Sequence, residues 1–257
     1  MKFRTGGQRR RRKNQLDPRW PILRDHIEAR ADNSPAYISN FRKHEFMSDA
    51  TTWLQALLTV GVLALYEGAL LLVQWRHPAR LARLAHADLR EEWLAALSEH
   101  PGSEVLAVQT LRNSLMAATM TASTAALGLM GAVTLAAPSL NSTLGNANSA
   151  HFTARLALEL VLMTLLFSSL VCSAMAARYY NHAGFICAMP VNSQARKRWA
   201  PIGAVYLRRA GLLYSWGLRN LLMVAPILAF IVYPWAGPAA AVIVVVALVM
   251  FDSFSMR

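Results

Sequence analysis

The chain has 257 residues, of which 55% are hydrophobic and 16% are charged, and its formal net charge is +12. This composition is too apolar for an ordinary soluble domain, and the length has room for one domain or one helical bundle with a tail. The basic residues alternate with apolar runs of membrane length, a pattern that favours a membrane protein over a nucleic-acid-binding protein. We therefore expect contact with the lipid bilayer and its anionic headgroups, and no nucleic acid as a partner.

Cysteine usage and the basic N-terminus exclude several kinds of site and signal. Cys172 lies inside an apolar run and Cys187 just beyond it, so no disulfide framework and no CxxC metal or haem signature is present. No apolar stretch closely follows the basic cluster from Arg9 to Lys13, which fits neither a Sec nor a twin-arginine signal. We expect no metal, no cofactor, and insertion into the bacterial plasma membrane through internal segments.

Residues 1–48 are largely polar and strongly basic. They predict a tail with a short helix around Trp20 to Ala31. The charges of the tail are expected to lie against anionic headgroups or in solvent, and docking of a partner is the alternative. The transmembrane helical domain is predicted to occupy residues 49–257.

Five apolar segments approach the roughly 20 residues that a spanning helix needs. They cover about 53–75, 115–137, 156–177, 218–233 and 239–251. The first has tryptophans at both ends, as headgroup belts favour, and the second is rich in small residues, which predicts a place in the middle of the bundle. The last two flank a short turn and are expected to form a hairpin. Between the first two, about 78–100 predicts an amphipathic interfacial helix.

The distribution of Lys and Arg predicts the orientation but leaves one conflict. Residues 138–151 contain neither, whereas residues 178–209 contain several, so the second stretch is predicted to be cytoplasmic. If 53–75 crosses the membrane, the basic tail is exported against the same rule. If 53–75 is re-entrant or interfacial, every basic stretch stays inside. The sequence thus predicts an all-α polytopic bundle of four or five transmembrane helices.

One short element occurs twice. Residues 111–118 read LRNSLMAA and residues 218–225 read LRNLLMVA. Together with RYYNHAGF at 178–185 and a later series that ends in Asp252, these motifs resemble the signature of the domain of unknown function 599 family, bacterial and plant multi-pass membrane proteins. The resemblance covers roughly 49–252. It implies the same membrane bundle, and it implies no activity because none is established for the family.

Charged residues inside predicted spans are candidates for a site, because a charge in lipid needs a partner or a role. Glu67 lies near the middle of the first span. It is a functional carboxylate coupled to a proton or a cation, the partner of an arginine on another helix, or a carboxyl group that stays protonated. Asp252 closes the last span and is a candidate ion-pair partner for one of the arginines. Glu159 is expected to pair with Arg155 on the helix rim, one turn earlier.

Arg112, Arg178 and Arg219 are all predicted at cytoplasmic ends of spans, and Asn113 and Asn220 follow the first and the last. If these arginines converge, they form a basic pocket for a lipid phosphate or an anionic metabolite. If they do not, each snorkels separately to the headgroups.

Enzyme signatures are missing from the sequence. His182 has no second ligand at a useful spacing, and nothing resembles GxSxG, HExxH or a P-loop. A membrane-embedded enzyme would need Glu67, Asp252 and His182 in one cavity. We expect instead a non-enzymatic protein that binds or transports an anionic lipid or small metabolite through a polar bundle core, as a homo-oligomer if it transports. The alternative is an accessory or assembly subunit of a larger membrane complex, docked through the tail.

Overall fold

The computed structural model describes residues 35–76, 82–145 and 152–252. Within these ranges every regular element is helical: α1 (Pro35–Arg76), α2 (Ala82–Leu97), α3 (Glu104–Gly145), α4 (Ala154–Cys187), α5 (Gln194–Leu222), α6 (Val224–Val232) and α7 (Ala236–Asp252). The prediction of an all-α bundle is confirmed. The short helix predicted around Trp20 to Ala31 lies outside the described residues.

The chain divides into two compact units, Met1–Asp49 and Ala50–Arg257. The first unit contains the start of α1, which is helical from Pro35, inside the segment predicted to be a tail. The second unit contains residues 50–76 of α1 and all the later helices.

Four helical stretches are long and apolar enough to cross a membrane: Asp49–Arg76, Glu104–Asn141, Ala154–Cys187 and Gln194–Val232. At 1.5 Å per residue, each is longer than the roughly 30 Å of a bilayer hydrocarbon core. The last of them joins α5 and α6. The remaining apolar helix, α7, has 17 described residues, which span about 25 Å. Among the described residues, four helices of spanning length and one shorter apolar stretch thus stand where five spans were predicted.

Side-chain contacts show which helix ends of the second unit lie together. Trp53 of α1 packs against Phe152, just before α4, with ring centroids 5.9 Å apart. Thr59 of α1 lies beside Gly237 at the start of α7. These contacts bring the first turns of the apolar part of α1, the start of α4 and the α6–α7 turn to one end, which we call the hairpin end. Residues 50–76 run from there as one unbroken helix.

The opposite end, which we call the arginine-rich end, contains α2, the start of α3 and the α4–α5 connection. Glu104 in the first turn of α3 accepts a hydrogen bond from the backbone N–H of Val191, at 3.0 Å. Arg208 of α5 forms ion pairs with Asp88 at 2.6 Å and Glu91 at 3.1 Å, both on α2. The helix predicted over about 78–100 therefore packs against α5 through its acidic side.

The stretch 178–209, which is predicted to be a cytoplasmic connection between spans, is mostly helical. Only residues 188–193 connect α4 to α5. Ser193 starts α5, because its hydroxyl accepts from the backbone N–H of Arg196 at 3.1 Å, a capping bond typical of helix starts. Arg196 is 2% exposed and donates to the carbonyl of Ile186 in the last turn of α4. Its charge is favourable there because a helix C-terminus carries partial negative charge.

The second predicted span, now α3, does not lie in the middle of the bundle. Only 17% of the most apolar segment of α3 is buried, whereas 39% of the most apolar segment of the α5–α6 stretch is buried. One face of α3 is nevertheless packed, mainly on α4, and its residues recur every seventh position: Leu111, Ala118, Ala125 and Ala132. The prediction that the small residues allow two helices to approach closely is correct. A single face of small residues packs against one partner helix, however, and does not require a central position in the bundle.

The predicted span 218–233 is two helices. Pro226 is the third residue of α6, and proline has no N–H to donate to the carbonyl four residues earlier, that of Leu222. α5 ends at Leu222 and α6 begins at Val224, with Met223 between them. This break lies beside the charged residues described next.

Candidate functional site

Arg219 is a buried arginine in the last turn of α5, with a side chain that is 4% exposed. Its Nη2 donates to both carboxylate oxygens of Asp252, at 2.5 Å and 2.6 Å. Asp252 is the last residue of α7 and is 16% exposed. Arg219 is therefore the arginine that pairs with Asp252.

Tyr66 joins α1 to this pair. Its hydroxyl donates to Oδ2 of Asp252, and the residue is 8% exposed. The Arg219 guanidinium lies 5.7 Å from the centroid of the Tyr66 ring and 5.6 Å from that of Trp216. Among the described residues, Nε and Nη1 of Arg219 donate no hydrogen bond. The two aromatic rings offset part of that loss through cation–π attraction. We call Tyr66, Arg219 and Asp252 the Arg219 cluster; it ties α1, α5 and α7 together.

The position of Asp252 on α7 bears on where the Arg219 cluster lies relative to a bilayer. Asp252 lies about 25 Å along α7 from the α6–α7 turn, and a hydrocarbon core is about 30 Å thick. If that turn lies at one membrane surface, the cluster lies inside the opposite half of the core. A lone charge there is expensive, whereas a hydrogen-bonded pair is tolerated.

Asn220, next to Arg219, belongs to a polar seam between α4 and α5. Its Nδ2 donates to the hydroxyl of Ser168 at 2.8 Å, and the hydroxyl of Ser169 donates to the carbonyl of Gly217 at 2.7 Å. A Cβ on Gly217 would lie 2.4 Å from Oγ of Ser173, so the two helices meet there without room for a side chain. The structure thus gives Asn220 a packing role.

A cavity of about 310 Å³ lies beside the Arg219 cluster, between α2, α5 and α7. We call it the α7 cavity. Its polar lining consists of His86, Ser215, Arg219 and Asp252. Its apolar lining consists of Leu218, Leu222, Leu248 and Phe251. Polar and apolar groups thus both line this cavity.

A second cavity, of about 300 Å³, lies between α3 and α4 and is lined by Arg112. We call it the Arg112 cleft. Its other polar side chains are Tyr180 and Asn181, and most of the rest are apolar: Val108, Leu111, Leu115, Phe185 and Ala188. Its described lining contains no carboxylate, and Arg112 is exposed and forms no ion pair with any described residue.

The expected convergence of the arginines is not what the described residues show. The α7 cavity and the Arg112 cleft share no lining residue. Arg178 is exposed and lines neither of them, and Asn113 is exposed next to Arg112 without lining the cleft. Arg112 and Arg219 therefore lie in two separate environments, one with a carboxylate and one without.

The other candidates lie apart from both cavities. Glu67 follows Tyr66 on α1, is partly buried and lines neither cavity. Glu159 forms the predicted ion pair with Arg155, at 3.0 Å, but is 1% exposed instead of lying on the rim. His182 packs against Tyr206 with ring centroids 5.9 Å apart. In the part of the chain that the structure describes, no group of His, Cys, Asp and Glu could hold a metal ion.

Sequence reasoning missed three residues of this region. Tyr66 and Trp216 flank the arginine, and His86 of α2 lines the α7 cavity. Tyr66 had one available signal, since it is a polar residue next to Glu67 within an apolar run. Which aromatic residue faces an arginine on another helix follows only from the packing.

These features define a polytopic α-helical bundle of the membrane type with a buried ion pair. The model of the family described as "Protein of unknown function, DUF599" matches residues 54–257. The chain belongs to this family, and the resemblance drawn from the LRN, RYYNHAGF and C-terminal motifs is confirmed. Comparison with the curated proteins and with the solved structures found no match.

Proposed function

We propose that this protein binds the anionic head of a lipid or of an amphipathic metabolite, without catalysing a reaction, at its arginine-rich end. The observation that carries the proposal is the Arg112 cleft. Among the described residues, the lining of this cleft contains a guanidinium and no carboxylate, and its walls are mostly apolar. An anion bound there supplies the missing negative charge.

The chemistry of the cleft suits a phosphate or a carboxylate on an apolar chain. The planar guanidinium of arginine presents paired N–H donors that match the oxygens of either group. The amide of Asn181 and the hydroxyl of Tyr180 add donors at the same cavity. Leu111 and Phe185 provide apolar surface for the chain that carries the head. Anionic lipid of the cytoplasmic leaflet is the nearest source of such a ligand, because the positive-inside rule puts the arginine-rich end in the cytoplasm.

Replacing Arg112 with glutamine is expected to lower the retention of an anionic lipid about tenfold or more, since a hydrogen bond to a charged group contributes about 1.5–3 kcal/mol. The measurement is native mass spectrometry of the full chain, purified in a neutral detergent with dioleoyl phosphatidate and dioleoyl phosphatidylcholine in competition. Wild type should retain phosphatidate in preference.

Arg178→Gln is the matched control, because Arg178 is an exposed arginine that lines neither cavity. It removes the same charge and is expected to leave the preference for phosphatidate intact. Equal losses in the two variants would mean that net charge alone attracts the lipid, and the proposal would then be wrong.

A further inference from the structure

The α7 cavity differs from the Arg112 cleft in charge although the two are similar in size. The charge of Arg219 is balanced by Asp252, and among the described residues the rest of the lining contains no Lys, Arg, Asp or Glu. An anion that enters the cavity meets a carboxylate and, in the described lining, an arginine that is already paired. The α7 cavity therefore does not suit the anionic ligand proposed for the Arg112 cleft.

Burial decides which polar atoms a ligand can reach. Nε and Nη1 of Arg219 are buried, and Tyr66 and Trp216 flank the guanidinium, whereas Asp252 is 16% exposed. Ser215 and His86 are the other polar residues of the lining. The groups proposed to contact a ligand are thus the carboxylate of Asp252, which accepts, and the hydroxyl of Ser215, which donates or accepts.

The rest of the lining is apolar and open to lipid. Phe251 is 79% exposed and Leu222 is 43% exposed, and neither is covered by another described helix. A molecule with an apolar body enters from the acyl-chain region of the bilayer without leaving it. The volume of about 310 Å³ holds a small head and the first part of a chain, with the remainder among the lipids.

We propose that the α7 cavity binds a neutral amphiphile whose head is a hydroxyl group, of the diacylglycerol class. The head hydroxyl donates to the carboxylate of Asp252 and accepts from the hydroxyl of Ser215. An uncharged head needs only these hydrogen bonds, whereas an ionised head would lose its hydration without gaining an opposite charge. This inference does not depend on the anion proposed for the Arg112 cleft, because it concerns another cavity and another head.

The first test fills the cavity with Leu222→Trp. The control is Leu228→Trp, because Leu228 of α6 is 45% exposed, much like Leu222, and does not line the cavity. The probes are dioleoylglycerol and dioleoyl phosphatidate, which differ only by the phosphate, in native mass spectrometry of the full chain. Leu222→Trp is expected to reduce dioleoylglycerol retention at least tenfold and to leave phosphatidate retention unchanged, with no effect from Leu228→Trp.

The same probes separate the two proposals. Arg112→Gln should lower phosphatidate retention alone, so either cavity can fail without the other. If wild type retains no dioleoylglycerol, or if the two tryptophan variants retain it equally, the α7 cavity is not its site and the inference is overturned.

A second test changes the charge of the cavity and keeps its shape. Asp252→Asn leaves Arg219 without a counter-charge, so the cavity is expected to lose dioleoylglycerol severalfold and to gain a second bound phosphatidate. A folded Asp252→Asn variant that binds the two probes as wild type does would overturn the electrostatic argument.

Ser215→Ala replaces this test if Asp252→Asn fails to fold, because Ser215 is a partly buried residue of α5 that also lines the cavity. It is expected to lower dioleoylglycerol retention a few-fold, and an unchanged value would contradict the proposed head contact.

Discussion

Replacing Arg219 with alanine is expected to destabilise the protein by about 3 kcal/mol, because removing one partner of a buried ion pair leaves the other without its counter-charge. The value is at the lower end of the range for such pairs, since Asp252 is 16% exposed and keeps some contact with water. The measurement is the midpoint of thermal unfolding in detergent, with an expected fall of about 10 °C.

Two further variants identify the ion pair as the cause. Arg178→Ala removes an exposed arginine and is expected to leave the midpoint within a degree or two of wild type. The double variant Arg219→Leu, Asp252→Leu removes both charges, so it is expected to be more stable than Arg219→Ala alone. If the double variant loses as much stability as Arg219→Leu and Asp252→Leu lose together as single variants, the two residues act independently.

Gly217→Ala is expected to destabilise the α4–α5 packing by about 1–3 kcal/mol, which is typical of an extra methyl group in a closely packed interface. The added Cβ would lie 2.4 Å from Oγ of Ser173 and 3.3 Å from the carbonyl oxygen of Ser169. Helix propensity acts in the opposite direction, because alanine favours a helix over glycine, so a loss of stability can only come from the close approach of α4.

The matched control for this substitution is Gly131→Ala on α3, where a Cβ would meet nothing within 4 Å. It is expected to be neutral or to stabilise by about 0.5–1 kcal/mol. The compensating variant is Ser173→Ala with Gly217→Ala. Oγ of Ser173 is buried and has no hydrogen-bond partner among the described residues, so its removal is expected to restore most of the lost stability. If Gly217→Ala unfolds at the wild-type midpoint, the proposed steric limit is wrong.

The helical architecture follows from the sequence because it depends on local properties. Apolar length, prolines and the alternation with basic segments predict membrane helices without knowledge of their neighbours. The continuous helix over residues 50–76, which starts at the hairpin end, supports crossing by the first span over a re-entrant segment. The break at Met223 also had a local signal, since Pro226 is visible in the sequence.

The arrangement of the site depends on which faces meet, and the sequence does not contain that information directly. The two LRN elements look equivalent, yet Arg219 is buried against α1 and α7 whereas Arg112 is exposed between α3 and α4. Arg112 lies near the start of α3 and Arg219 in the last turn of α5, and the packing partner of each helix sets which of its faces is buried. The same reasoning explains why Glu159 is buried although a partner one turn away suggested a surface pair.

The position of Asp252 on α7 has a consequence for the surrounding bilayer. Its carboxylate, held by the protein, lies about 25 Å along α7 from the α6–α7 turn, about 5 Å less than the thickness of a typical hydrocarbon core. Lipids next to α7 must compress, or water and headgroups must move inward to meet Asp252. This hydrophobic mismatch costs fractions of a kcal/mol per ångström and is relieved in a thinner membrane. We therefore expect the thermal midpoint to rise when the acyl chains of a reconstituted bilayer are shortened from eighteen to fourteen carbons.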